Sequence, residues 1–209
     1  MARIIYFNLN EDVARRQIIG LKGVQAQAGE FALERAEIIF ETKKQQFIED
    51  FNNHPVSQEI KLEENGGNLA GTLDSGDDNL WGFIGFQEGE NPIQEVSEAI
   101  EANTHLDEHG VPKIRQGTQL EFTFKVTAPS LQDLEPLTPF NWGGGSWLAG
   151  IEKGISGLSY YIAKLGFGRS GGGIQAKNRY RKSAPGFKTT NYYSSLVNEF
   201  LASLSKIIK

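Results

Sequence analysis

The chain contains no cysteine, an absence that removes disulfides, thiolate metal sites and thiol nucleophiles together. Histidine is scarce, at 3 residues in 209, and the only methionine is the first residue. No stretch approaches the roughly 18 consecutive apolar residues that a membrane span needs. The N-terminal run MARIIYFNLNEDVARR meets Asn8 and then charges too early to be a secretory signal. The expectation is a protein made as a soluble product in the cytoplasm, with no membrane partner.

The most informative absence is local. From Lys164 to Lys188 there is no Asp or Glu, while Lys164, Arg169, Lys177, Arg179, Arg181, Lys182 and Lys188 supply seven cations among glycines and tyrosines. The rest of the charge is sorted to match. Residues 1–110 hold 21 acidic and 8 basic side chains, and residues 111–209 hold 5 and 13, so a total of −5 conceals halves of −13 and +8. A subunit with one acidic and one basic face is suited to nucleic acid or to another copy of itself.

What is present reads as an α+β order of helix, strands, short helix, strands and helix. Phe31, Ala32, Leu33, Ala36, Ile39, Phe40, Phe47, Ile48 and Phe51 recur at helical spacing, which predicts a helix over about 30–52 that Pro55 terminates. Residues 1–29 read as an arm or a helix broken at Gly20 and Gly23, and 30–209 as one α+β domain with a loop insert at about 103–147. Val56 to Leu62 is a strand candidate, and LWGFIGF at 80–86 reads as a buried strand kinked at a glycine. Pro92 opens a short helix carrying Ile93, Val96 and Ile100, and 103–116 is a polar connection. LEFTFKVT at 120–127 alternates as a half-buried strand does. The stretch from Pro129 through FNWGGGSW at 140–147 reads as a functional loop or arm, GLSYYIAKL at 157–165 as a strand, and residues from about Tyr192 as a helix with Val197, Phe200, Leu201, Leu204 and Ile208 on one face.

The signals for chemistry are weak. His105 and His109 stand four apart, but Gly110 and Pro112 disfavour the helix that would join them at a metal. Glu63 with Glu64, and Asp77 with Asp78, are neighbours in polar turns rather than opposed carboxylates. GRSGGGIQ at 168–175 has the glycines of an anion nest without the Gly-Lys-Ser/Thr ending of a nucleotide loop. The reading is therefore not an enzyme, with no catalytic residue, cofactor or metal. IQAKNRYRK at 174–182 is stronger: as a strand it sets Lys177, Arg179 and Arg181 on one face. That face suits either phosphates, with Tyr160, Tyr161, Tyr180, Tyr192 and Tyr193 near enough to stack on bases, or a neighbouring subunit's carboxylates such as Glu34, Glu41 and Glu49. Trp142, Trp147 and Phe140 are the candidates for the apolar contact that a subunit interface also needs.

FNNHPVSQEI, NLAGTLDSGDDNLWGFIGFQEGENPI, WLAGIEKGISGLSYYIAK and GRSGGGIQAKNRYR resemble segments of the neck and tail-completion proteins of tailed bacteriophages, which connect the DNA-filled head to the tail. The resemblance runs over about residues 30–209 as an order of elements with a few short motifs, and the insert at about 103–147 departs from it. It implies a long N-terminal helix and a C-terminal helix packed on a mainly antiparallel β-sheet, with extended loops or arms. It further implies a virion protein without cofactor, forming a ring of roughly six or twelve copies in the neck or at the top of the tail, because a head-to-tail contact repeated about an axis closes. Its neighbours would be adjacent connector, tail terminator or tail tube proteins, with DNA passing through the channel without sequence-specific contact. The alternatives are a tail terminator of the same region, or a nucleic-acid-binding module using residues 164–188.

Overall fold

Gly20 interrupts the helical conformation of the chain. In the computed structural model, which describes residues 18–73, 79–108, 113–115, 119–141, 145–153 and 187–207, a short helical stretch at Ile18–Ile19 breaks at Gly20 and Leu21. Helix α1 then runs unbroken from Lys22 to Asn53. The break upstream is as expected, but α1 begins eight residues before the predicted position and passes through Gly23 and Gly29. Glycine at 29 also answers to packing, since a Cβ there would meet Phe122 Cε1 at 3.4 Å. The remaining elements are α2 (Pro55–Lys61), a 3₁₀ turn (Glu63–Asn65), α3 (Leu80–Ile84), α4 (Pro92–Asn103), β1 (His105–Glu108), β2 (Lys113–Arg115), β3 (Gln119–Glu121), β4 (Phe124–Thr127), α5 (Leu131–Leu134), a second 3₁₀ turn (Glu135–Leu137), α6 (Trp147–Lys153) and α7 (Tyr193–Ile207). The protein is helix-rich and broadly α+β, its strands forming two two-stranded antiparallel pairs.

The chain separates into two compact units, residues to Thr42 with His105–Thr127, and Lys43–Thr104 with the residues from Ala128 onward. The four strands among the described residues all belong to the first unit. β1 pairs with β4 (His105 opposite Thr127, Glu108 opposite Phe124), and β2 with β3 (Lys113 opposite Glu121, Arg115 opposite Gln119). Four residues, 109–112, lie between the first two strands, against two, Phe122 and Thr123, between the last two. The two pairs are separate two-stranded ladders, and on the described side the pairing is interrupted at Phe122 and Thr123. This corrects two expectations. Residues 103–116 are not merely a connection, and LEFTFKVT is not one strand, because the interruption turns Phe122 toward α1 at Gly29.

The second unit is built from helices. Phe47 of α1 stacks on Phe200 of α7 with ring centroids 4.9 Å apart, and Phe51 stacks on Tyr192 at 5.4 Å. Val56 and Ile60 of α2, Leu80, Trp81 and Ile84 of α3, Ile93, Val96 and Ile100 of α4, and Trp147, Leu148 and Ile151 of α6 complete a buried core. Among the described residues of this unit there is no strand for α7 to pack on, only the isolated bridges Leu73–Phe187 and Pro139–Ser146. Among the described residues the C-terminal helix packs on a helix, through Phe200 on Phe47; the strand expected at 157–165 lies outside the described residues.

The α1–α2 junction shows why Pro55 ends one helix and begins the next. Pro55 has no N–H, so the Phe51 carbonyl loses its ordinary helical partner. Ser57 fills that vacancy, its hydroxyl donating to the Phe51 carbonyl. The single Ser57 proton is then committed, so the buried Tyr192 hydroxyl, 2.5 Å away, donates to Ser57 Oγ. Gln58 Nε2 donates to the Asn52 carbonyl at 2.8 Å, and His54 Nδ1 accepts from Val56 N–H at 3.2 Å as the α2 cap. Side chains of α2 thus cap the end of α1, and His54, between the helices, caps α2. Val56–Leu62 is consequently helical, with Val56 and Ile60 buried one turn apart, and not the predicted strand.

LWGFIGF is also helical. Asn79 Oδ1 accepts from Gly82 N–H at 2.9 Å, and Gly85 closes α3 in the left-handed region at φ 85°. Asn79 Nδ2 meanwhile donates to the carbonyls of Glu63 and Gly66 at 2.5 and 2.6 Å, clasping the preceding loop. A second clasp comes from Glu59, whose side chain is fully buried. Its Oε1 accepts from Leu80 N–H at 2.6 Å and its Oε2 from Ala70 N–H at 2.7 Å. Burial pushes this carboxyl above its ordinary value, while the N–H donors pull the other way. Replacing Glu59 by Gln turns an amide donor toward one of these N–H groups, and the expected loss is about 1–3 kcal/mol in urea unfolding.

The described residues between Pro129 and Trp147, 129–141 and 145–147, are packed on the second unit. Ser130 and Asp133 form a reciprocal capping box on α5. Thr138 and Ser146 join side chains at 2.6 Å, and Trp147 N–H donates to the Thr138 carbonyl at 2.8 Å, closing the aromatic glycine-rich segment into a tight loop.

Candidate subunit interface

Glu34 and Glu41 lie on α1 and are exposed. Seven residues apart, they fall on one face of the helix. The same spacing carries Phe31 and Ile38, which are 62% and 61% exposed. Phe31 had the spacing of a core residue, but the inward stripe of α1 passes through Leu33, Phe40 and Phe47 instead. α1 therefore carries a second apolar stripe that points outward, with Glu34 and Glu41 along one side and Arg35 on the other. No hydrogen bond or ion pair joins Glu34 or Glu41 to another described residue. Glu49 is also exposed on α1, within the second unit.

Trp147 is corrected: it is 2% exposed, meets Phe86 edge-on at 5.6 Å and belongs to the core. Phe140 is buried as well, 9% exposed. Trp142, Lys177, Arg179 and Arg181 lie outside the described residues, as do the glycine-rich run 168–175, the strand candidate at 157–165, and Asp77 and Asp78. Tyr192 and Tyr193, candidates for base stacking, are fully buried, and Tyr193 donates to the Pro129 carbonyl at 2.5 Å. Tyr192 stacks on Phe51, Tyr193 meets Phe47 at a tilt and Phe51 edge-on, and neither offers a surface to a base. His105 sits on β1 with Nε2 3.6 Å from Asp107 Oδ2, and His109 is outside the described residues. Among the described residues, no group of three or more His, Asp or Glu could hold a metal, and no helix is long and apolar enough to cross a membrane.

The flanks of the basic stretch are well placed. The described chain stops at Lys153 and resumes at Phe187, whose ring stacks on Phe83 at 5.7 Å. Lys188 N–H donates to the Thr72 carbonyl at 2.8 Å and Thr190 N–H to the Ile151 carbonyl at 3.2 Å, so both flanks are held on the second unit side by side. Glu152, just before the stretch, caps α7 by accepting from Ser194 N–H at 2.6 Å and from its hydroxyl. The 33 residues 154–186 hold six cations and no carboxylate.

No protein-family model, curated protein or solved structure matches this chain. The residues themselves carry the argument. Those behind the phage-connector resemblance fall, where described, in packed parts of the second unit: the α1–α2 junction, the clasped loop with α3, and α6.

One group near the junction responds to mild acid. His54, half-buried against the Tyr192 ring at 4.7 Å, is held below its ordinary value of 6.5 by burial, and its Nδ1 is occupied as an acceptor. For a base whose folded value is depressed, the unfolded chain takes up a proton that the folded chain refuses. Stability should therefore fall as pH drops below about 6.5. A urea midpoint lower at pH 5.5 than at pH 7.5, with the difference reduced in His54→Asn, is the expected result.

Proposed function

We propose that this chain is a structural virion protein of a tailed bacteriophage, one subunit of a ring in the neck or at the top of the tail that joins the head to the tail. The observation that carries the reading is the coexistence in one chain of an exposed acidic helix face and an acid-free basic stretch whose flanks are pinned to a packed body. Such unlike surfaces repeat head to tail, and a repeated heterologous contact closes a ring. The phage-connector resemblance adds the setting. In this reading the protein has no catalytic role, the ring neighbours are other connector, terminator or tail tube proteins, and the DNA passes without sequence-specific contact.

The test is genetic and structural together. The protein should be found in purified virions, and disrupting its gene should leave filled heads and tails that do not join, counted by electron microscopy. Normal virions from the disrupted phage would overturn the reading.

The basic stretch supports a second reading, binding of nucleic acid through residues 164–188. In that case Arg179→Glu with Arg181→Glu abolishes DNA retardation at about 50 mM salt, and binding in the unaltered protein falls steeply as salt rises. Absence of retardation at low salt removes this option.

A further inference from the structure

The outward face of α1 repeats with a period of seven. Val24, Phe31 and Ile38 are spaced by seven, and so are Gln27, Glu34 and Glu41, so a row of apolar side chains runs beside a row that becomes acidic. A seven-residue repeat keeps such rows on nearly the same side of a helix, the arrangement by which one helix presents a continuous surface to a partner. Phe31 and Ile38 are more than half exposed, and Glu34 and Glu41 join no described residue.

Two classes of occupant are disfavoured by charge. A second copy of the same face would set Glu34 and Glu41 against carboxylates, and nucleic acid or an anionic lipid surface would be repelled. Two exposed carboxylates, Glu34 and Glu41, flank the apolar row against one exposed cation, Arg35, so the face favours a partner that is apolar and cationic by turns. Within this sequence that description fits residues 164–182, where Lys164, Arg169, Lys177, Arg179, Arg181 and Lys182 are interspersed with Leu165, Phe167, Ile174 and Tyr180, without an acid.

We infer that the Phe31–Ile38 face of α1 is the docking surface for the basic segment 164–182 of a second copy of this chain. The inference rests on the assembly part of the proposed function and is independent of its virion setting. Apolar burial at Phe31 and Ile38 supplies affinity, and Glu34 and Glu41 set direction and partner choice.

The test uses the full-length chain. p-Benzoylphenylalanine is placed at position 31, and ¹⁴N- and ¹⁵N-labelled proteins are mixed at about 50 mM salt, where screening is weak, before irradiation. Crosslinks from position 31 into 164–182 should join peptides of unlike isotope. Crosslinks only between peptides of like isotope, crosslinks elsewhere in the chain, or none at all would overturn the inference, while leaving the gene-disruption result to judge the virion reading separately. A second readout is self-association by sedimentation. The pair Phe31→Ser and Ile38→Ser, at exposed positions that leave circular dichroism unchanged, should weaken it at least about tenfold. Unchanged association would contradict the assignment.

Discussion

Replacing Trp147 by Ala should cost about 3–5 kcal/mol of folding free energy, enough to unfold a large fraction of a marginally stable domain. The indole is 2% exposed and is met edge-on by Phe86, which in turn packs on Trp81 at 5.1 Å. Leu148 and Ile151 of the same short helix are fully buried, so little can move in to fill the hole. The measurement is urea unfolding followed by tryptophan fluorescence and circular dichroism. It also separates two roles for this residue. A side chain that served only a subunit contact would leave the isolated chain's midpoint unchanged when truncated, whereas a core side chain lowers it at every protein concentration.

The second large effect is alkaline. Burial pushes both the Tyr192 and Tyr193 phenols well above the ordinary value of 10.0, and nearby carboxylates, Glu152 for both and Asp133 for Tyr193, push the same way. For an acid whose folded value is raised, the folded state keeps its proton while the unfolded chain releases it. The stabilisation is full below about pH 10 and is lost as pH rises beyond it. Each tyrosine approaches a loss of about 1.4 kcal/mol per pH unit once the unfolded phenol is ionised, and because that ionisation is only half complete at pH 10 the two together remove about 2 kcal/mol between pH 10 and 11. Urea midpoints at pH 9, 10 and 11 should fall with that slope, and Tyr192→Phe should roughly halve it. A flat profile would mean that one or both phenols reach solvent, and would revive them as stacking residues.

How far the fold was legible follows from which signals were local. The end of α1 was readable because proline acts on the residues beside it, and α4 because Pro92, Ile93, Val96 and Ile100 state both its start and its face. Residues 56–62 and 80–86 misled because a short apolar run does not distinguish a turn of helix from a strand. The deciding signals were the caps, His54 before Pro55, and Asn79 with Gly85 around α3. The same holds for Ser130 and Asp133, whose three-residue spacing is a capping box inside a segment otherwise without period. LEFTFKVT alternates throughout, and which of its residues pair depends on β1 and β2, whose sequences it does not contain.

The candidate interface was legible only in its charges. Glu34 and Glu41 were identified from the acidic half, and their exposure agrees with that. The apolar row beside them was missed, because Phe31 fits the inward helical pattern as well as the outward one, and only packing decides between them. Tyr192 was misassigned for the opposite reason. Its partners, Phe51 and Ser57, lie more than 130 residues away in sequence, so nothing near it announces burial.

The most direct test of the account is a charge exchange between the two surfaces. Glu34→Lys with Glu41→Lys, and separately Lys177→Glu with Arg179→Glu and Arg181→Glu, should each block self-association in sedimentation at low salt. A chain carrying both sets should associate again, since the attraction is restored with its sign reversed. If the combined chain stays dissociated while the second set alone abolishes DNA retardation, the basic segment serves nucleic acid and the α1 face is not its partner.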